Sequence, residues 1–240
     1  MAIRNYVPNS LTLLNLLCGL LALVNVFNGN FYNAFYFVIL GIFFDFWDGF
    51  AARKLNVSSP LGLQLDSLAD MVTSGVVPGL MMFKLLQNIQ NGEIFYVVKQ
   101  ETFYIDLIKY LGFIITLASA YRLAKFNIDE RQTENFIGLP TPANALLVMS
   151  IGVLISDDEK IFLNNPYVLL AITIVSAYLL NAEIPLFSLK VKDFSWKNNK
   201  VQFLFVFFSV VLIVNLSVLA IPIIILSYIL LSLVLNFVKK

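Results

Sequence analysis

Four aspartates stand in stretches that are otherwise almost wholly apolar: Asp45 and Asp48 in GIFFDFWDGFAARKLN, Asp66 and Asp70 in SSPLGLQLDSLADMV. On helices, the i,i+3 spacing of the first pair and the i,i+4 spacing of the second put each pair on one face. Ionised carboxylates crowded into apolar surroundings repel one another and are costly to desolvate, so they require protons, cationic partners or metal. An all-oxygen set favours hard divalent cations, Mg²⁺ or Mn²⁺, over zinc. The chain has no histidine and one cysteine, Cys18, which removes a His general base, a Ser/His/Asp triad, His-based zinc or copper sites and any intrachain disulfide. Two other uses of the acids stand beside metal binding. One is neutralisation by Arg53, Lys54 and Arg122; the other is a proton or cation path through a transporter.

Composition sets the elements that must carry these acids. The 240 residues are 59% hydrophobic and 13% charged, with a mean hydropathy of +0.83, which excludes a water-soluble globule. A formal net charge of +1 gives no global field to attract nucleic acid. A spanning helix needs roughly 20 apolar residues, and such stretches fall at about 10–28, 32–53, 61–86, 103–126, 141–156, 165–181, 201–217 and 219–238. The chain therefore reads as an all-α integral membrane protein, one polytopic domain over residues 1–240 with a six-span core over 1–181 and further helices within 201–238. The last two stretches are either separate spans or one unit kinked at Pro222. The first stretch has little basic character before it and no A-x-A-like cleavage site, and reads as retained.

Residues 56–60, NVSSP, supply a helix stop and restart, with Ser59 as N-cap and Pro60 as first helical residue. That hairpin brings both acidic pairs to one membrane surface. With the N-terminus inside, an eight-span path puts Arg4, Arg53, Lys54, Lys125, Arg131, Lys190, Lys192, Lys197, Lys200, Lys239 and Lys240 on the cytoplasmic side, against Lys84, Lys99, Lys109 and Lys160 on or toward the far side. The bias places both termini and the acids at the cytoplasmic face of a cell (inner) membrane. Residues 182–200, with Trp196, read either as an interfacial stretch against anionic lipid or as an ordinary loop.

Small residues flank the acids: Gly49, Ala52 and Gly62. Glycine in a helix costs about 1 kcal/mol relative to alanine, so its presence here points to close approach by something bulky. A nucleotide bridging metals needs a smooth wall, acidic ligands and a cation for phosphate, which Gly49, Ala52, the aspartates and Arg53 supply. A bare ion path needs no such wall. Arg122, at the end of the fourth span, is a guanidinium in an apolar helix and therefore costly.

Taken together, Asp45-x2-Asp48-Gly49-x2-Ala52-Arg53-x8-Gly62-x3-Asp66-x3-Asp70 resembles in full the signature of the CDP-alcohol phosphotransferases, integral-membrane enzymes with a six-helix core. Within that family the stretches PNSLTLLNLLCGLLA (8–22), LDSLADMVTSGVVPG (65–79), ASAYRLAKFN (118–127) and FIGLPTPANA (136–145) look most like the bacterial and archaeal CDP-diacylglycerol–serine O-phosphatidyltransferases. Lys125 is a departure, since related synthases commonly carry arginine there.

The resemblance implies transfer of the phosphatidyl group from CDP-diacylglycerol to L-serine, giving phosphatidylserine and CMP in phospholipid biosynthesis. It also implies two divalent ions held by Asp45, Asp48, Asp66 and Asp70, with Asp70 as general base and the CDP moiety lying over Gly49, Ala52, Arg53 and Gly62. Arg122, with Lys125 one turn on, is the candidate for serine; pairing of Arg122 with one of the aspartates is its alternative. Asn9 and Thr12, one turn apart, either touch the cytidine or ribose or cap the first helix. Asn144 is placed near the cavity, Pro140 and Pro142 in the turn before it, and Ser67 and Ser74 either line the site or pack helices. Homodimerisation rests on the resemblance alone. Two alternatives stay open: a sister transferase taking glycerol 3-phosphate or inositol phosphate, and a cation-coupled transporter.

Overall fold

The computed structural model describes residues 6–57, 59–91, 107–129, 136–157, 161–187 and 199–238. Trp196 and nine of the cations that set the orientation (Arg4, Lys99, Arg131, Lys160, Lys190, Lys192, Lys197, Lys239 and Lys240) lie outside those residues.

The described chain is almost all helix, as its hydropathy predicts. It runs α1 (Tyr6–Phe27), α2 (Phe31–Leu55), α3 (Pro60–Asp70), a π turn (Met71–Val76), α4 (Val77–Asn91), a 3₁₀ turn (Ile108–Phe113), α5 (Ile114–Ile128), α6 (Thr141–Ser156), α7 (Pro166–Asn181), α8 (Lys200–Leu216) and α9 (Ala220–Val238). Tyr6–Phe27, Phe31–Leu55 and Pro60–Ile89 are each long and apolar enough to cross a bilayer, whereas Thr141–Ser156 and Pro166–Asn181 are shorter apolar helices.

Lys200–Phe237 is apolar over 38 residues, far more than the roughly 20 that one span needs, and the chain folds back on itself there. Phe205 and Tyr228 would lie roughly 35 Å apart on a straight helix at 1.5 Å per residue, yet their ring centroids are 5.7 Å apart. The reversal occurs at Ser217, whose φ is 51°, followed by one 3₁₀ turn, Ser217–Leu219. The choice between two helices and one kinked unit thus resolves to an antiparallel hairpin.

Beyond the helices there is one two-residue pairing. β1 (Phe136–Ile137) runs antiparallel to β2 (Pro185–Leu186), with Phe136 opposite Leu186. Within residues 182–187, Ala182 and Leu186 are buried while Glu183 and Pro185 are exposed; the rest of the suggested interfacial stretch, 188–198, lies outside the described residues. Gly138 follows β1 with φ +74°, and a Cβ on it would sit 2.7 Å from the Leu180 carbonyl oxygen, so only glycine suits this crossing.

The core is a continuous apolar cluster that includes Val38, Met81, Met82, Ile115, Val148, Met149 and Leu169. Leu13, Leu17, Leu20, Val24, Phe207 and Val214 face outward, as a lipid-facing surface requires, because hydrocarbon outside the bundle is no less apolar than the core. α1, α2 and the π turn approach most closely around Thr73. A Cβ on Gly41 would meet the Thr73 Cγ2 at 2.8 Å, and one on Gly19 would clash with the Thr73 hydroxyl. This contact fixes the distance between the helices that carry the acids and α1.

Candidate active site

Local sequence signals build the turn that brings the acids together. α2 ends at Asn56, held in the left-handed conformation with φ 53° and ψ 46°, and the Val57 N–H closes on the Ala52 carbonyl at 3.0 Å. This is the usual way a helix satisfies its last carbonyls. Ser59 then caps α3: its Oγ accepts from the Gly62 N–H at 3.0 Å, with Pro60 at the first helical position.

Across that hairpin, carboxylate oxygens of Asp45, Asp48 and Asp66 lie within 4.8 Å of one another. Asp70 is not in this trio but feels the charges of Asp66, Asp48 and Arg122. None of the four aspartates forms an ion pair with a cation among the described residues, where the ion pair present is Lys125 to Glu183. Arg53, Lys54 and Arg122 thus stand outside ion-pair distance of the acids. Asp66 Oδ1 is buried without a hydrogen-bond partner. A converging, partly buried set of carboxylate oxygens, one of them unsatisfied, suits a hard divalent cation.

α1 grips two of the acids from the side. The Thr12 hydroxyl donates to Asp48 Oδ2, and Asp48 is only 6% exposed. One turn further, Asn15 Nδ2 donates to Asp70 Oδ1 at 3.1 Å. The Asn15 backbone carbonyl accepts from the Thr73 hydroxyl at 3.1 Å, so the grip is anchored in the π turn. Asn15 was missed in the sequence, although Asn9, Thr12 and Asn15 recur at three-residue intervals and stripe one side of an otherwise apolar helix.

Beside the trio lies a cleft of about 180 Å³ lined by Asn9, Thr12, Asp48, Gly49, Ala52, Ser59, Gly62 and Asp66, among others. Asn9, Thr12, Gly49, Ala52 and Gly62 thus share one wall system. A Cβ on Gly49 would stand 3.4 Å from Arg53 Nη1, and one on Gly62 3.3 Å from Asn9 Oδ1. The wall is smooth because these side chains are missing, and Arg53 stands exposed at its edge.

Arg122 is not among the residues lining that cleft and is 7% exposed. Its Nε and Nη2 have no hydrogen-bond partner, and its guanidinium sits 5.9 Å from the Phe126 ring centroid. Ser119 Oγ, one turn away on the same helix, and Ser74 Oγ are likewise buried and unpartnered. Lys125 is engaged elsewhere, its Nζ 2.7 Å from Glu183 Oε1. Ser67 accepts from Asn127 Nδ2 at 2.8 Å, tying α3 to α5. Asn144 is fully buried, and its Oδ1 accepts from the Ser176 hydroxyl.

A family model described as CDP-alcohol phosphatidyltransferase matches residues 5–182. The chain belongs to this family. The match covers α1 through α7 and every residue of the site just described except Glu183, and it agrees with the family indicated by the eight spaced positions. Curated relatives include a CDP-diacylglycerol–serine O-phosphatidyltransferase of Bacillus subtilis, 34% identical over 184 residues, covering 75% of this chain and 89% of that protein. One of the same name from Methanocaldococcus jannaschii is 32% identical over 151 residues, covering 63% of this chain and 62% of that protein. A third, from Helicobacter pylori, is 29% identical over 223 residues, covering 89% and 84%. As a member of this family the chain is an all-α membrane transferase, and the transporter alternative falls away.

Proposed function

We propose that the protein transfers the phosphatidyl group of CDP-diacylglycerol to the hydroxyl of L-serine, giving phosphatidylserine and CMP. The observation that carries the acceptor assignment is Arg122: a buried guanidinium with two unpartnered nitrogens, within the electrostatic reach of Asp70. A buried cation left with free donors is costly unless an anion completes it, and a carboxylate is the anion an amino-acid acceptor brings. Relatives named for serine transfer support the same choice.

The residues divide the work between two sides. On one, Gly49, Ala52 and Gly62 leave room for the nucleotide, Asn9 borders it, and Arg53 supplies positive charge for phosphate at its edge. Thr12 holds Asp48 in place. Bound by Asp45, Asp48, Asp66 and Asp70, two divalent cations, Mg²⁺ or Mn²⁺, would supply charge neutralisation at the pyrophosphate and leaving-group stabilisation. On the other side, Arg122 orients serine so that its hydroxyl faces Asp70, which takes the proton. The serine Oγ–P bond forms as the P–O bond to CMP breaks. A carboxylate is a weak base for an alcohol, so proton transfer belongs late in the reaction, once the oxygen is already bonding to phosphorus.

A phosphorylated acceptor such as glycerol 3-phosphate or inositol phosphate calls for a larger cluster of cations, and Lys125 is already paired with Glu183. Membranes containing the protein, supplied with CDP-diacylglycerol, Mn²⁺ or Mg²⁺ and labelled serine, are expected to form labelled phosphatidylserine with one CMP released per product. Consumption of glycerol 3-phosphate with serine inert would transfer the assignment to a sister enzyme.

The site and both termini face the cytoplasm of a cell membrane in this proposal, and the active form is a homodimer. Labelling of an Asn56→Cys variant from one side of sealed vesicles tests the orientation, since the native Cys18 is buried. Chemical crosslinking in native membranes tests the dimer.

A further inference from the structure

We infer that the C-terminal hairpin α8–α9, which lies beyond the family-matching residues 5–182, positions the acceptor side of the active site, with Asn236 and Tyr228 as its positioning residues. The inference rests on the proposal that Arg122 holds serine.

α9 grips the segment that contains β2 at three points. Asn236 Nδ2 donates to the Pro185 carbonyl at 2.6 Å, the Tyr228 hydroxyl donates to the Phe187 carbonyl at 2.8 Å, and the Phe187 N–H donates to Ser232 Oγ at 3.4 Å. The Phe187 ring packs against Phe205 of α8 and Tyr228 of α9, with centroids 5.7 and 4.9 Å away. The two-residue β2 ladder leaves the carbonyls of Pro185 and Phe187 to be met by these side chains.

The other edge of the same segment is tied to the core. β2 pairs with β1, the Gly138 N–H donates to the Ile184 carbonyl at 2.9 Å, and the Leu139 N–H donates to the Leu179 carbonyl at 2.8 Å. Just before β2, Asn181 Nδ2 donates to the Ala118 carbonyl at 3.0 Å. In the helical i→i+4 pattern that carbonyl also accepts from the N–H of Arg122. Glu183 adds its ion pair to Lys125 at 2.7 Å. The hairpin therefore reaches the turn of α5 that carries Arg122 through one short, hydrogen-bonded stretch of chain. The nucleotide-side residues Asn9, Thr12, Gly49, Ala52 and Gly62 sit on α1, α2 and α3, outside this path. Loosening the clamp should thus shift Arg122 and leave the donor cleft in place.

The test uses the full-length protein in lipid nanodiscs, with Asn236→Ala, Tyr228→Phe and the double variant. CMP release is measured against serine at saturating CDP-diacylglycerol and the reverse. The double variant is expected to raise the serine KM by about threefold or more while the CDP-diacylglycerol KM stays within about twofold, and Asn236→Gln is expected to recover part of the loss seen with Asn236→Ala. An unchanged serine KM, or an equal rise in both KM values, overturns the inference. Tyr228→Phe retains the ring packing and carries the test by itself if Asn236→Ala does not fold. Should the wild type prove inert with serine, the proposed function fails instead, and the same pair of KM values for whichever alcohol it accepts still decides the role of the hairpin.

Discussion

Asn15 and Asp70 face each other across the α1–α3 contact, the amide donating to the carboxylate at 3.1 Å while the Asn15 carbonyl is held by Thr73. That hydrogen bond engages one Asp70 oxygen and, in the proposed reaction, leaves the other for the acceptor. Asn15→Ala is expected to lower kcat by about 10- to 100-fold with the CDP-diacylglycerol KM little changed. Steady-state kinetics in detergent or nanodiscs checks this. An equal loss of donor affinity would mean that Asn15 only supports helix packing.

Asp70→Asn preserves shape and, if Asp70 is the base as proposed, removes the proton acceptor. Turnover is expected to fall by about 100-fold or more, while protection of the protein by CDP against thermal unfolding persists. Near-normal turnover would remove Asp70 from its role as base.

Arg122 and Lys125 lie one turn apart but have different surroundings. Arg122 is buried with free donors, whereas Lys125 pairs with Glu183 in a half-exposed bridge of 31% and 57% exposure. Arg122→Ala is expected to raise the serine requirement by about tenfold or more, with a smaller effect on the donor requirement. Lys125→Ala, which breaks only a surface pair of small energetic weight, should change serine KM by less than about threefold. Serine titrations of the two variants side by side distinguish them.

Gly62 borders the cleft, with space for a Cβ limited by Ser59 Oγ at 3.2 Å and Asn9 Oδ1 at 3.3 Å. A branched side chain there must push into the cleft proposed to hold the nucleotide. Gly62→Val is expected to raise the CDP-diacylglycerol KM by about tenfold or more and to leave the serine KM far less affected. Competition by CMP, measured on the same variant, should weaken in parallel.

Much of this site is written in the sequence because the physics that places it is local. Acids in apolar stretches at helical spacing share a face, and NVSSP turns the chain, so a meeting of Asp45, Asp48, Asp66 and Asp70 is expected; the first three come together, while Asp70 stands outside that trio. Thr141–Ser156 begins and ends where its hydropathy does. What could not be read depends on contacts between distant segments. The π turn at Met71–Val76 shows no local signature. The α8–α9 reversal hangs on one positive φ at Ser217, a conformation that serine does not advertise. The pairing of Phe136 with Leu186 involves two-residue strands too short for any alternation of polar and apolar residues. The sequence leaves Thr12 open between a ligand contact and a helix cap; it lines the cleft, and its hydroxyl donates to Asp48, a partner 36 positions away that only packing can reveal.

The most direct measurement is Mn²⁺ binding to the purified protein, followed by electron paramagnetic resonance with and without CDP. Wild type should bind Mn²⁺, and CDP should tighten that binding. Asp66→Asn, which removes one member of the carboxylate trio, should lose it by about tenfold or more. Mn²⁺ affinity that is unchanged in Asp66→Asn, or indifferent to CDP in the wild type, would contradict a cation site built by these acids for a CDP-linked donor.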